Sequence, residues 1–156
     1  MAANRIVVDI ESYRTRNGHV VDMLAAVALN AEPCRNSPKA EKEKWNTPEA
    51  QMGRVNAAIA KTAVDPLLAE PLIVCVSVDG EPSEATAWDG DICDLMERVQ
   101  SAVGRCCDRN TVWAGHNIGG FDLPLLATWW QRLKMRIPEG FPVALAGGKW
   151  RGRSSF

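Results

Sequence analysis

No stretch of this chain narrows its possible folds as much as Asn4-Arg5-Ile6-Val7-Val8-Asp9-Ile10-Glu11. Ile6, Val7, Val8 and Ile10 are β-branched and apolar, and a run this short and this branched predicts a buried strand. Side chains alternate along a strand, so Asp9 and Glu11 leave it on the same face, about 7 Å apart along the backbone. In an interior strand an Asp between Val8 and Ile10 is costly to keep charged unless something positive sits on it. A divalent cation meets that need, since Mg²⁺ is commonly held by one or two carboxylates together with substrate phosphates. The alternative is a strand that stops at Asp9, with both acids solvated at the start of a loop.

At 156 residues the chain suits one domain with a sizeable core better than two. Charged residues make up 24% and hydrophobic ones 46%, which excludes wholesale disorder. The net charge of -1 means that any nucleic-acid partner must be held by a local basic surface or by bound metal. Five cysteines (Cys34, Cys75, Cys93, Cys106, Cys107) form no Cys-x-x-Cys, and neither His19 nor His116 has ligand spacing with a cysteine pair. Reduced thiols and no zinc are therefore expected. No signal peptide precedes the first strand, and no apolar run approaches the roughly 18 residues of a membrane span. A cytoplasmic protein with no membrane partner is the expectation.

Further along, Val20 to Leu29 is apolar enough for a short helix or a strand, and Glu32 to Trp45 reads as a solvated surface excursion. Thr47-Pro48-Glu49 is a helix start, with Thr as cap and Pro in the first turn. Met52, Val55, Ile59 and Thr62 follow at helical spacing and should face inward. Leu72 to Val78 predicts a strand, and Asp79-Gly80-Glu81-Pro82 turns it back into Glu84 to Trp88 as an antiparallel hairpin. Asp91 caps a helix whose Ile92, Leu95, Met96, Val99 and Val103 keep a helical rhythm up to Gly104. Thr111 to Gly115 forms another short strand. This order of elements predicts a mixed α/β sheet flanked by helices.

The last strand runs into His116-Asn117-Ile118-Gly119-Gly120-Phe121-Asp122-Leu123-Pro124. Paired glycines suit a place where a ligand or another segment comes close. Pro124 opens a helix continued by Leu125, Leu126, Trp129 and Leu133, with one of Trp129 and Trp130 in the core and the other at the surface. Asp122, at the strand-to-helix junction, either caps that helix or completes a metal site with the first strand.

Asp-x-Glu on an early strand and Asn-x-x-x-Phe-Asp at the mouth of a later helix resemble the first two motifs of the DEDD-type 3′-5′ exonucleases, which have a ribonuclease H-like fold. Within that superfamily the chain looks most like small, often phage-encoded exonucleases related to the proofreading domain of family-B DNA polymerases. The segments Lys44 to Glu49, Lys61 to Pro66 and Leu72 to Val76 resemble the insert and following strand of those proteins. The likeness covers residues 4 to about 134, so that 1–134 reads as an exonuclease-like domain and 135–156 as a partly disordered C-terminal segment.

By resemblance, Asp9 is shared by two metals and Glu11 is a ligand that also meets the attacking water or the terminal nucleotide. Asp122 is the ligand opposite. Asn117 positions the DNA strand, Phe121 supports the site from below, and Ile10 lies against the substrate. The implied cofactor is Mg²⁺ or Mn²⁺ in a two-metal site, and the implied partner is the 3′ end of single-stranded DNA.

The family also carries a fourth carboxylate on a later helix, with a Tyr or His four or five residues before it. Here Glu139 is the one acid after Asp122, Tyr13 is the one tyrosine, and both histidines come earlier. The chain thus reads as stopping before the third motif. One metal site should be weakened, exonuclease activity should be weak or absent, and an uncovered sheet surface should favour self-association or a covering partner. A non-catalytic nucleic-acid-binding or protein-interaction module of the same fold is the second reading. The basic, aromatic Lys149, Trp150, Arg151 and Arg153 either contact nucleic acid or form a frayed terminus.

Overall fold

The computed structural model describes residues 4–81, 84–87, 90–108 and 110–142. The segment 143–156, with the basic aromatic run, and Trp88 lie outside these residues. The chain divides into two compact units. One comprises the residues up to Ser12 together with those from Pro71 onward, and the other is Tyr13–Glu70. The physical reason is that the excursion after the first strand is long enough to fold on itself.

The first unit is a mixed α/β arrangement around a four-stranded sheet, ordered β3-β2-β1-β4. Strand β1 spans Arg5–Tyr13, β2 Glu70–Val78, β3 Glu84–Ala87 and β4 Val112–Ala114. The β2–β3 hairpin is antiparallel, as expected, and pairs Ile73 with Ala87 and Val76 with Glu84. The Asp79 backbone N–H donates to the Arg5 carbonyl at 2.8 Å, which puts the end of β2 beside the start of β1 and makes that pair antiparallel too. β4 runs parallel to β1, with Arg5 opposite Val112 and Val7 opposite Ala114.

The branched residues behave as their alternation requires. Ile6, Val8 and Ile10 of β1 and Val74 and Val76 of β2 are buried. They share a core with helices α4 (Ile92–Gly104) and α5 (Asp122–Arg132), through Leu95, Met96, Val99 and Val103 of the former and Leu123, Leu125, Leu126 and Trp130 of the latter. Asp91 caps α4 by accepting from the Cys93 and Asp94 N–H groups, as expected. Of the two tryptophans, Trp130 is the core member: its Nε1–H donates to the Met96 carbonyl at 3.1 Å. Phe141 meets Trp113 and Trp130 edge-on at 5.1 and 5.0 Å, and such pairs add stability beyond area burial. The opposite face of the sheet leaves Val7, Ile73 and Val112 exposed.

In the second unit, Val20 to Leu29 resolves as helix α1 (Gly18–Leu29), capped by Asn17. A short helix α2 (Lys39–Lys44) occupies the charged run and buries nothing. Helix α3 (Pro48–Ala60) starts on the Thr47 cap, as expected, and a 3₁₀ turn follows over Lys61–Val64. The expected inward face of α3 holds only in part. Thr62 is buried and Val55 and Ile59 are half-buried, but Met52 is 60% exposed, because the covered stripe runs through Gln51, Arg54, Val55 and Ala58 and leaves Met52 at its margin. Arg54 joins these elements: its Nη1 donates to the Trp45 carbonyl at 2.6 Å, its Nε to the Ala28 carbonyl at 3.1 Å, and its guanidinium lies 4.3 Å from the Trp45 ring centre.

The five cysteines are all free thiols. No helix among the described residues is long and apolar enough to cross a membrane.

Candidate metal and phosphodiester site

β1 continues through Asp9 and Glu11 to Tyr13, as the main expectation required, so the alternative of a strand that stops at Asp9 does not hold. Against expectation, Asp9 is exposed although β1 lies inside the sheet. Interior position in a sheet covers both strand edges, not both faces. Asp9 and Glu11 stand together on the open face, in line with Val7, where water can solvate them. No buried charge therefore demands a cation on β1 itself.

The buried carboxylate is Asp122, only 3% exposed. It is not the cap of α5. That position belongs to Phe121, which makes no side-chain cap hydrogen bond, so the capping alternative does not hold. Asp122 instead lies in the first helical turn, where the positive end of the helix favours an acid. Its carboxylate accepts from its own backbone N–H and from that of Ile10. Since Ile10 belongs to β1, the second carboxylate-bearing segment is brought onto the strand that bears Asp9 and Glu11.

The turn before α5 delivers it there. Asn117 has φ of 52°, a left-handed conformation that asparagine tolerates better than most residues. Its carbonyl accepts from the N–H groups of Gly120 and Phe121, both at 2.9 Å. Its side-chain Oδ1 lies 2.3 Å from where a Cβ on Gly120 would stand, so a side chain at Gly120 would displace the asparagine's amide. Asn117 is exposed and Phe121 half-buried.

The Asp122 carboxyl is pushed up to about 6, first by burial and then by the negative charge of Asp9. The two backbone N–H groups and the nearby His116 pull it back down. One of its oxygens, Oδ2, is buried with no hydrogen-bond partner, which is costly for a carboxylate. A hard divalent cation suits carboxylate oxygens of this kind, and it would supply the missing partner. Among the described residues, however, no group of three or more His, Cys, Asp and Glu side chains is arranged to hold a metal ion. Asp9 and Asp122 are close enough to interact electrically. Glu11 shares the face of Asp9 without joining them in such a group.

Sequence reasoning passed over one contributor, the Ile10 main chain. A side-chain pattern carries no signal for a backbone donor.

A cleft of about 750 Å³ is lined by Gln100, Cys107, Asp108, Arg136 and Glu139, among others, and by none of Asp9, Glu11 and Asp122. The Cys107 thiol there is raised to about 11 by burial and by Asp108 and Cys106, which leaves it protonated and inert at neutral pH.

No protein-family model matches the chain, and no curated protein does. Among solved structures it is similar to the family B DNA polymerase from the hyperthermophilic archaeon Pyrobaculum calidifontis, with 17% identity and a TM-score of 0.46. The match covers 88% of this chain and 12% of the polymerase chain.

Proposed function

We propose that the chain is a metal-dependent phosphodiester hydrolase of the 3′-5′ exonuclease type, with a ribonuclease H-like fold, acting on the 3′ end of single-stranded DNA. The observation that carries this reading is the buried Asp122 carboxylate, lodged on β1 beside Asp9 with one oxygen unpartnered. The pairing of Asp-x-Glu with Asn-x-x-x-Phe-Asp, whose likeness to exonuclease motifs is described above, supports it. Asp9, Glu11 and Asp122 would hold Mg²⁺ or Mn²⁺. Bound divalent ions would supply a water of lowered pKa and a stabiliser for the leaving oxygen. The chain's own part is to aim acidic oxygens at one place, with Asn117 and Phe121 shaping the approach; Ile10, expected against the substrate, instead turns its side chain into the core and contributes its main chain alone.

The test is incubation of a 5′-labelled single-stranded oligodeoxynucleotide with millimolar Mn²⁺. The expected result is slow shortening from the 3′ end that EDTA stops and Asp9→Ala abolishes. Shortening indifferent to EDTA and to Asp9→Ala would contradict the reading.

A second reading, a non-catalytic nucleic-acid-binding or protein-interaction module, is favoured by the lack of a three-ligand group among the described residues. A protein that does not shorten DNA and whose melting temperature ignores millimolar Mn²⁺ selects it, because a ligand bound to the folded form alone raises that temperature.

A further inference from the structure

The edge of β1 that faces β4 changes partner partway along its length. The Val112 N–H donates to the Asn4 carbonyl at 2.8 Å, whereas the Arg5 carbonyl accepts from Asp79 on the other side. Main-chain groups alternate between the two edges of a strand, so Asn4, Ile6, Val8 and Ile10 turn theirs toward β4. β4 itself is short, and its last paired residue is Ala114, opposite Val7. At the next residue, Gly115, an added Cβ would lie 2.3 Å from the Val8 carbonyl oxygen. Real Cβ atoms do not approach a backbone oxygen so closely, so only glycine fits as the chain leaves the sheet. One step further along the same edge, the Ile10 N–H lies beyond the last residue of β4, and the Asp122 carboxylate accepts from it.

We propose that Gly115 is a positioning residue for Asp122. By letting the chain leave β1 while pressed against Val8, it opens the Ile10 N–H on the strand edge. That N–H, in place of a ladder partner, fixes where the carboxylate stands relative to Asp9. The proposal deepens the hydrolase reading and rests on it for its functional meaning, but its structural content can be tested without metal or DNA.

The test is residue-resolved amide exchange by NMR, followed by Mn²⁺ titration. In Asp122→Ala, the Ile10 amide should exchange about tenfold faster or more, as loss of a hydrogen bond to a charged group implies, while the Ile6 amide keeps its rate. Asp122→Asn retains an acceptor oxygen, so Ile10 protection should return while Mn²⁺ broadening of the Ile10 signal is lost. Gly115→Ala should reproduce the Ile10 loss of Asp122→Ala. An Ile10 amide unchanged in Asp122→Ala overturns the proposal even if Gly115→Ala does not fold, and so does a folded Gly115→Ala with unaltered Ile10 exchange. The expected exchange pattern in a protein indifferent to Mn²⁺ would uphold the positioning and overturn the hydrolase reading alone.

Discussion

The two compact units are held together by different physics. Around the sheet, Ile6, Val8, Leu95, Met96, Leu125, Leu126 and Trp130 are fully buried, and removal of apolar surface from water is the main stabilising term. In Tyr13–Glu70, α3 buries no residue completely and α1 buries only Ala28. That unit relies on directional polar contacts. The Thr15 N–H donates to Thr62 Oγ1 at 2.8 Å, and Thr62 Oγ1 donates to the Ile59 carbonyl at 2.7 Å. The Arg16 Nε donates to Glu70 at 2.6 Å, and Arg54 clamps Ala28 and Trp45. Contacts of this kind contribute about 1 kcal/mol each, so the second unit should open locally before the first. Asp122 is the exception within the apolar unit, a polar group that the core tolerates and does not fully satisfy.

Truncating the core should have the largest effect. Leu126→Ala is expected to cost about 2–5 kcal/mol, read as a fall in denaturant midpoint. A loss below 1 kcal/mol would mean that the sheet unit is not packed as described.

The pH dependence of Asp122 comes next. Its folded-state pKa, about 6, lies above the ordinary 3.8, so the folded protein holds a proton that the unfolded chain has released. Stability from this group is therefore fully present below about pH 4 and is lost as pH rises through about 6. The total is about 3 kcal/mol. Asp122→Asn should flatten that part of the stability-pH curve and be the more stable protein at pH 8 without metal. Parallel curves for the two proteins would remove the burial argument.

Arg54→Ala should cost about 1–2 kcal/mol, and amide exchange should show the loss in Gly18–Leu29 and Pro48–Ala60 while α5 keeps its protection. Met52→Ala, on the exposed side of the same helix, should change stability by under about 0.5 kcal/mol. Equal losses in α5 would erase the contrast between the units.

Where side-chain periodicity controls structure, the sequence was readable. The alternation in β1, the Asp91 and Thr47 caps, the hairpin after Val78 and the buried stripe of α4 all follow from residue type at fixed spacing. Asp9 and Glu11 share a face for the same reason. What could not be read depended on contacts between distant residues. Met52 has good helical spacing, but the neighbouring α1 decides which side of α3 is covered. At a strand-to-helix junction Asp122 is open to two readings, a helix cap or a metal ligand, and residue type alone does not choose between them. Its actual partner is a backbone N–H on β1, and that partner depends on where β4 stops and on the room left at Gly115. The exposure of Asp9 was hidden similarly, since the strand's own residues do not say which face of the sheet is covered.

Calorimetric titration of Mn²⁺ into the wild-type protein and into Asp9→Asn and Asp122→Asn addresses most directly whether these acids hold a cation together. Saturable binding by the wild type, weakened at least about tenfold by either substitution as loss of a charged ligand implies, is the expected result. No saturable binding, or binding that neither substitution alters, would show that the acids of β1 and α5 do not form a metal site.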